Sequence, residues 1–147
     1  MEELRCRPMG EGDIDLCARL YMDYYNTAEG GQWTAETTRR RIHQVWGHEA
    51  ALCLLFKVRE EVIGFAMGHF EQYDDLSAYD LVEIVLAAPW QNQGLGTACM
   101  ALLEEEVRAR GGAMVQLEAV NDAQHEHFYS KLGYQTCTNL IPKSKFL

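Results

Sequence analysis

The chain has 147 residues, 48% of them hydrophobic and 24% charged, with a formal net charge of −9. That length fits one domain around a single core, spanning residues 1–147. The negative field excludes nucleic acid and anionic membranes as natural partners and favours a cationic one. The longest apolar run, Ile84–Trp90, is far too short to span a bilayer, and the acidic start Met1-Glu2-Glu3 lacks the pattern of a secretory signal. Five scattered cysteines without a C-x-x-C pair give neither a disulfide framework nor a zinc site, and a reducing cytoplasm is the expected setting.

Leu4–Met9 reads as a first strand, and Gly10 to Asp13 as a turn with Asp13 as the helix N-cap. Ile14, Cys17, Tyr21, Tyr24 and Tyr25 recur at helical spacing until Glu29-Gly30-Gly31 interrupts them. A second helix, capped by Thr34, runs to Trp46, with Arg39, Arg40 and Arg41 expected on a solvated face. Ala50–Val58 and Val62–Gln72 form a hairpin about Arg59-Glu60-Glu61, and Tyr73–Tyr79 reads as an acidic loop. Leu81–Ala88 is nearly all apolar, as a central strand covered on both faces should be. A helix follows Gly94-Leu95-Gly96 and ends at Gly111-Gly112; then come strand Ala113–Val120 and helix Asp122–Leu132. Tyr134–Thr138 and Lys143–Leu147 read as edge strands. The order β-α-α-β-β-β-α-β-α-β, with one further β at the end, is an α/β pattern that one mixed central sheet flanked by helices satisfies.

The stretch Leu81 to Thr97 carries the most chemistry. A strand meets Gln91-Asn92-Gln93-Gly94-Leu95-Gly96 where a helix begins. Glycine lets the backbone close on a ligand, and the first N–H groups of a helix have no internal partner and sit at its positive end. Such a turn can cradle a pyrophosphate. Gly96 is followed by Thr97-Ala98 where a phosphate-binding P-loop needs Gly-Lys-Ser/Thr, and Cys99 stands where a dinucleotide fingerprint needs a third glycine.

Here the sequence resembles the GCN5-related N-acetyltransferase (GNAT) family, whose signature Gln/Arg-x-x-Gly-x-Gly/Ala is matched by Gln91, Gly94 and Gly96. A second family pattern, Phe-Tyr-x-x-Leu-Gly-Phe/Tyr, is matched by Phe128-Tyr129-Ser130-Lys131-Leu132-Gly133-Tyr134. The resemblance implies a GNAT-like fold and acetyl-CoA as cosubstrate, with no metal. It also implies that the backbone of Ile84, Val85 and Leu86 holds the pantetheine arm. The N–H groups across Asn92, Gln93, Gly94, Leu95, Gly96 and Thr97 would hold the pyrophosphate, and the strands holding Leu86 and Ala119 would splay around the thioester. Gln91, Asn121 and Tyr129 complete the implied cofactor set. Asn121 lies eight residues before Tyr129, and Asp122 occupies the more usual spacing of seven.

Acetylating an amine requires an unprotonated nitrogen and a proton for the departing thiolate. The resemblance makes Tyr129 the proton donor. Glu83 stands out on its own, as the only charge within Leu81–Ala88: a buried carboxylate is costly unless paired or functional, and burial pushes it toward a base. It would equally serve as a structural acid bonded to a buried Arg, His or Tyr. Asp80 and Glu118 are rival bases by family position. Strict alternation along a strand puts Asp80 and Glu83 on opposite faces. His43, His48, His125 and His127 form no metal set.

The resemblance also implies an acceptor site formed by the first two helices and the loop before the central strand, which here carry Tyr21, Tyr24, Tyr25, Glu29, Trp33, Glu71, Tyr73, Asp74, Asp75 and Asp80. Acids among aromatics suit a small cationic amine, through charge and cation–π contact. A protein lysine or N-terminal amine is the alternative acceptor, and a non-catalytic acyl-CoA-binding module the alternative function. Any homodimer would form through the C-terminal strands.

Overall fold

A computed structural model describes residues 3–147. The chain runs β1 (Leu4–Pro8), α1 (Ile14–Ala28), α2 (Ala35–Trp46), β2 (Ala51–Val58), β3 (Glu61–Gln72), β4 (Ser77–Leu86), α3 (Leu95–Ala109), β5 (Met114–Leu117) and α4 (Ala123–Lys131). One sheet has the strands in chain order; all pairs are antiparallel except the parallel β4 and β5. Among the described residues, no helix is long and apolar enough to cross a membrane.

Alternation along the inner strands divides the core between two faces. Cys53, Leu55, Phe65, Met67 and Val85 meet Cys17, Tyr21, Ile42 and Val45 of α1 and α2. Leu54, Phe56, Ile63, Tyr79 and Leu81 meet Cys99, Met100, Leu103 and Val107 of α3 on the other face. Strands covered on both sides lose polar–apolar alternation, which is why β2 is almost continuously apolar. Helix α2 is capped as its sequence predicts, Thr34 Oγ1 accepting from Thr37 N at 3.1 Å.

Several expectations are corrected. Asp13 closes a short 3-10 turn and does not cap α1 with its side chain; its carboxylate accepts from Gly10 N and from Arg7. β4 starts at Ser77, inside the segment expected to be a loop, because its first residues pair with Phe70, Glu71 and Gln72. β5 is shorter than Ala113–Val120. Neither Tyr134–Thr138 nor Lys143–Leu147 is a strand. Tyr134 packs on Tyr129 and its hydroxyl donates to Glu104 Oε2 at 2.7 Å, which carries the chain toward α3 and away from the edge of β5. The strands on which the homodimer expectation rested are therefore not formed.

Candidate active site

The site begins with a change of register. β3 and β4 pair Met67 with Glu83 but Gly68 with Leu81, so Val82 is an extra residue. A bulge of this kind reverses the phase of alternation beyond it. Tyr79, Leu81, Ile84 and Leu86 face α3, while Val82 and Val85 face α1 and α2. Glu83 joins that second face, where its partners are on α1 and α2. Asp80 joins it too, opposite His69, which continues the alternation of Phe65 and Met67. The expectation that Asp80 and Glu83 face apart is thus overturned by one inserted residue.

Glu83 is only 9% exposed and fully engaged. Oε2 accepts from Tyr21 Oη at 3.0 Å and from an Arg41 nitrogen at 3.2 Å, and Oε1 accepts from Tyr25 Oη at 2.5 Å. Burial, together with the adjacent carboxylate, pushes both phenols well above their ordinary range. Arg41, expected on a solvated face with Arg39 and Arg40, instead turns inward. Glu83 ties α1 and α2 to the bulge, the structural alternative weighed from the sequence.

Asp80 is less committed. Its Oδ2 lies 3.7 Å from His69 Nε2, beyond a direct hydrogen bond. Burial raises its carboxyl above the ordinary range, His69 opposes that rise, and Glu71 and Glu118 add to it. Asp80, Glu71 and Glu118 are therefore neighbours in one acidic patch, beside the point where β4 and β5 part.

That parting is explicit in the pairing. β4 and β5 are joined from Ala78↔Met114 to Leu81↔Leu117, whereas β3 accompanies β4 as far as Leu86. From Val82 to Leu86 the β5 side of β4 has no strand partner. Ile84, Val85 and Leu86 line this gap, and Ala119 lies beyond the last paired residue of β5. The turn after β4 is ordered by its own side chains: Gln91 Nε2 donates to Leu86 O at 2.8 Å and Gln93 Nε2 to Pro89 O at 2.7 Å. Asn92 and Gly94 both adopt positive φ, +60° and +77°. Gly94 is the residue before α3, and a Cβ there would meet nothing within 4 Å, so its open side faces free space. None of the turn and loop hydrogen bonds among the described residues has Asn92, Gln93, Gly94, Leu95, Gly96 or Thr97 N–H as donor, and the first helical N–H groups have none within α3. The turn therefore presents a row of N–H groups without backbone partners at a helix start. The Gln91 amide braces the turn against the strand end.

Across the gap, α4 is capped by Asp122, which accepts from His125 N at 2.8 Å. Asn121 precedes the cap and is exposed. Tyr129 is half-buried, and its hydroxyl makes no hydrogen bond to any described residue; burial raises its phenol above the ordinary range. Phe128 holds the helix against α3, since a Cβ on Gly96 would come within 3.3 Å of its ring. Tyr24 is raised chiefly by burial and its bond to Glu29, then by Asp122 and Tyr129, so the end of α1 lies near the start of α4. Trp33 packs edge-on to Tyr21 at 4.9 Å. Asp74 and Asp75 sit on an exposed turn.

Sequence reasoning missed His69. Its signal was the alternation Phe65-Met67-His69-Glu71, which becomes informative once the register with Asp80 is known. His48, which was weighed as a metal ligand with His43, instead stacks on His69 at 4.2 Å.

Comparison with known proteins agrees with this geometry. The model of the acetyltransferase (GNAT) family matches residues 15–134. No curated protein matches the sequence. A "possible acetyltransferase" from Clostridium difficile 630 superposes with a TM-score of 0.85 at 12% identity, covering 99% of both chains. Aminoglycoside N-acetyltransferase AAC(6')-Iy, solved with CoA, gives 0.77 at 12% identity, covering 99% of this chain and 96% of its own. The aminoglycoside acetyltransferase meta-AAC0020, from an uncultured soil metagenomic sample and solved with sisomicin, gives 0.74 at 13% identity, covering 98% and 96%.

Proposed function

Because the chain belongs to the GNAT family and is an acetyltransferase, we propose that it transfers the acetyl group of acetyl-CoA directly to a small cationic amine. The observation that carries this reading is the gap between β4 and β5 leading to a row of free N–H groups before α3, with an acidic patch at the gap's apex. The residues fit the cosubstrate: Ile84, Val85 and Leu86 offer a strand edge to an amide-bearing arm, and the N–H groups from Asn92 to Thr97 offer donors to a pyrophosphate. Acetyl-CoA supplies the activated acyl group.

The protein's part is positioning and proton transfer. The acidic patch and the aromatic residues of α1 attract and orient an ammonium group. Asp80, with a carboxyl raised above the ordinary range by burial, takes a proton from the bound ammonium so that the nitrogen becomes nucleophilic. Glu118 stands second to it. Glu83, buried and accepting from Tyr21, Tyr25 and Arg41, keeps the helices in place. Tyr129, with an unpartnered hydroxyl, protonates the leaving thiolate. No metal enters these steps. All five cysteines are unpaired, which supports a reducing, cytoplasmic setting.

Thiol release from acetyl-CoA, measured against a polyamine, an aminosugar and a lysine peptide, tests the proposal. Release with one of the small amines is expected. CoA binding without release for any amine would favour the non-catalytic acyl-CoA-binding module.

A further inference from the structure

His69 lies on β3 between two carboxylates of the acidic patch. Its Nε2 is 3.7 Å from Asp80 Oδ2, and its Nδ1 is 3.9 Å from Glu71 Oε1. Nδ1 is buried and has no hydrogen-bond partner. The ring is stacked on His48, whose Nδ1 accepts from Ala50 N at 3.0 Å, so His48 is fixed in orientation. Glu71 is held in turn, with Tyr73 Oη donating to its Oε2 at 3.2 Å and Gln116 Nε2 donating to Tyr73 Oη at 3.0 Å. His69, Glu71 and Asp80 are close enough to suggest a metal centre, their ligating atoms lying within 4.8 Å of one another. The nearest contacts also fit a second use of the cluster, because each carboxylate lies nearest a different ring nitrogen. An imidazolium presents an N–H to each.

We propose that His69 is a positioning residue that relieves Asp80 of the acceptor's proton, with Glu71 holding the imidazolium so formed. The inference rests on the acetyl-transfer reading. Asp80 takes one proton from the ammonium and passes it from Oδ2 across the 3.7 Å separation, by way of one bridging water, to His69 Nε2, while Nδ1–H turns to Glu71. The freed nitrogen lone pair forms the C–N bond as the C–S bond breaks, and its electron pair leaves on sulfur. Tyr129 gives the sulfur a proton and regains one from the acylated nitrogen. The proton on His69 returns to solvent through the half-exposed Asp80. One thioester and one ammonium thus give one amide, one thiol and one proton. The groups facing His69 are Glu71 on β3, Asp80 on β4 and His48 after α2; Glu118, after β5, acts on Asp80.

The experiment compares wild type, H69Q, H69A and E71Q by thiol release across pH, with acetyl-CoA affinity measured alongside. The H69Q variant should lose roughly 10²-fold in kcat at neutral pH, as for removal of acid–base help, with unchanged acetyl-CoA affinity. Added imidazole should restore part of the H69A rate, which a purely structural role would not allow. E71Q, at a half-exposed position that does not threaten the fold, should lower kcat several-fold and alter the acidic limb. Wild-type activity with H69Q equal to it, or an H69A defect that imidazole leaves untouched while E71Q behaves as wild type, overturns the relay and leaves the acetyltransferase reading standing. A wild-type chain that releases no thiol overturns both.

Discussion

Replacing Glu83 separates its structural role from a catalytic one. Its carboxylate accepts two phenol hydrogen bonds and one from Arg41, at 9% exposure. Deleting one partner of a buried ion pair costs about 3–5 kcal/mol, because the remaining donors stay buried and unsatisfied. The Arg41 side chain is 39% exposed and can recover water, so the lower end applies, about 3 kcal/mol for Glu83→Ala. At roughly 2–4 °C per kcal/mol for a chain of this size, Tm should fall by about 10 °C. Glu83→Gln still accepts at one oxygen but points an amide at a donor, and about half that loss is expected, near 5 °C. A thermal melt followed by circular dichroism measures both. In the folded Glu83→Gln variant the acidic limb of the pH–rate profile should persist. Asp80→Asn should remove it: with the Asp80 carboxyl raised, the base is protonated and idle below that value, and activity grows as pH rises through it. A Glu83→Gln variant as stable as wild type but without the limb would refute the reasoning and make Glu83 the base.

Four further outcomes follow from the cofactor gap and α4. Gly94→Glu puts a charged side chain into the open space before α3 at φ +77°, and calorimetry should show CoA binding abolished with the fold retained. Gly96→Val presses on Phe128, so it should displace α4 and lower kcat more than it weakens CoA binding, in steady-state kinetics with parallel titration. Tyr129→Phe should lower kcat by roughly 10²–10⁴-fold with acetyl-CoA affinity unchanged. CoA affinity should fall only modestly from low to high salt, because the turn from Gln91 to Thr97 carries no Lys or Arg; a steep loss would assign the phosphates to basic side chains elsewhere, such as Lys131 or Arg108.

The turn into α3 was legible because its signals are local. A strand, two glycines and a helical stripe define a helix start wherever the chain packs, and Asn92 adds a left-handed residue that composition alone does not mark. The order of elements along the chain was legible for the same reason, from hydrophobic period and turn residues. The acid–base arrangement was not, because it depends on Val82. One bulged residue brings Asp80 and Glu83 to the same face, and nothing in Leu81-Val82-Glu83 announces it. His69 escaped for a related reason: its neighbours are 11 residues away on β4, and only the register shows that Asp80 lies opposite it. The tail misled because apolar residues such as Phe146 and Leu147 suggest a strand, yet they stay exposed once Tyr134 is drawn to Glu104. Glu83 was correctly seen as costly to bury; that Tyr21, Tyr25 and Arg41 would converge on it required the packing of two helices.

The most direct measurement is the mass spectrum of each amine after incubation with acetyl-CoA and the protein, alongside the Gly94→Glu variant. A small cationic amine should gain the mass of one acetyl group on nitrogen, in step with thiol release, and the variant should give neither. Acetyl transfer undiminished in folded Gly94→Glu, or CoA binding by the wild type with no amine ever acetylated, would contradict it.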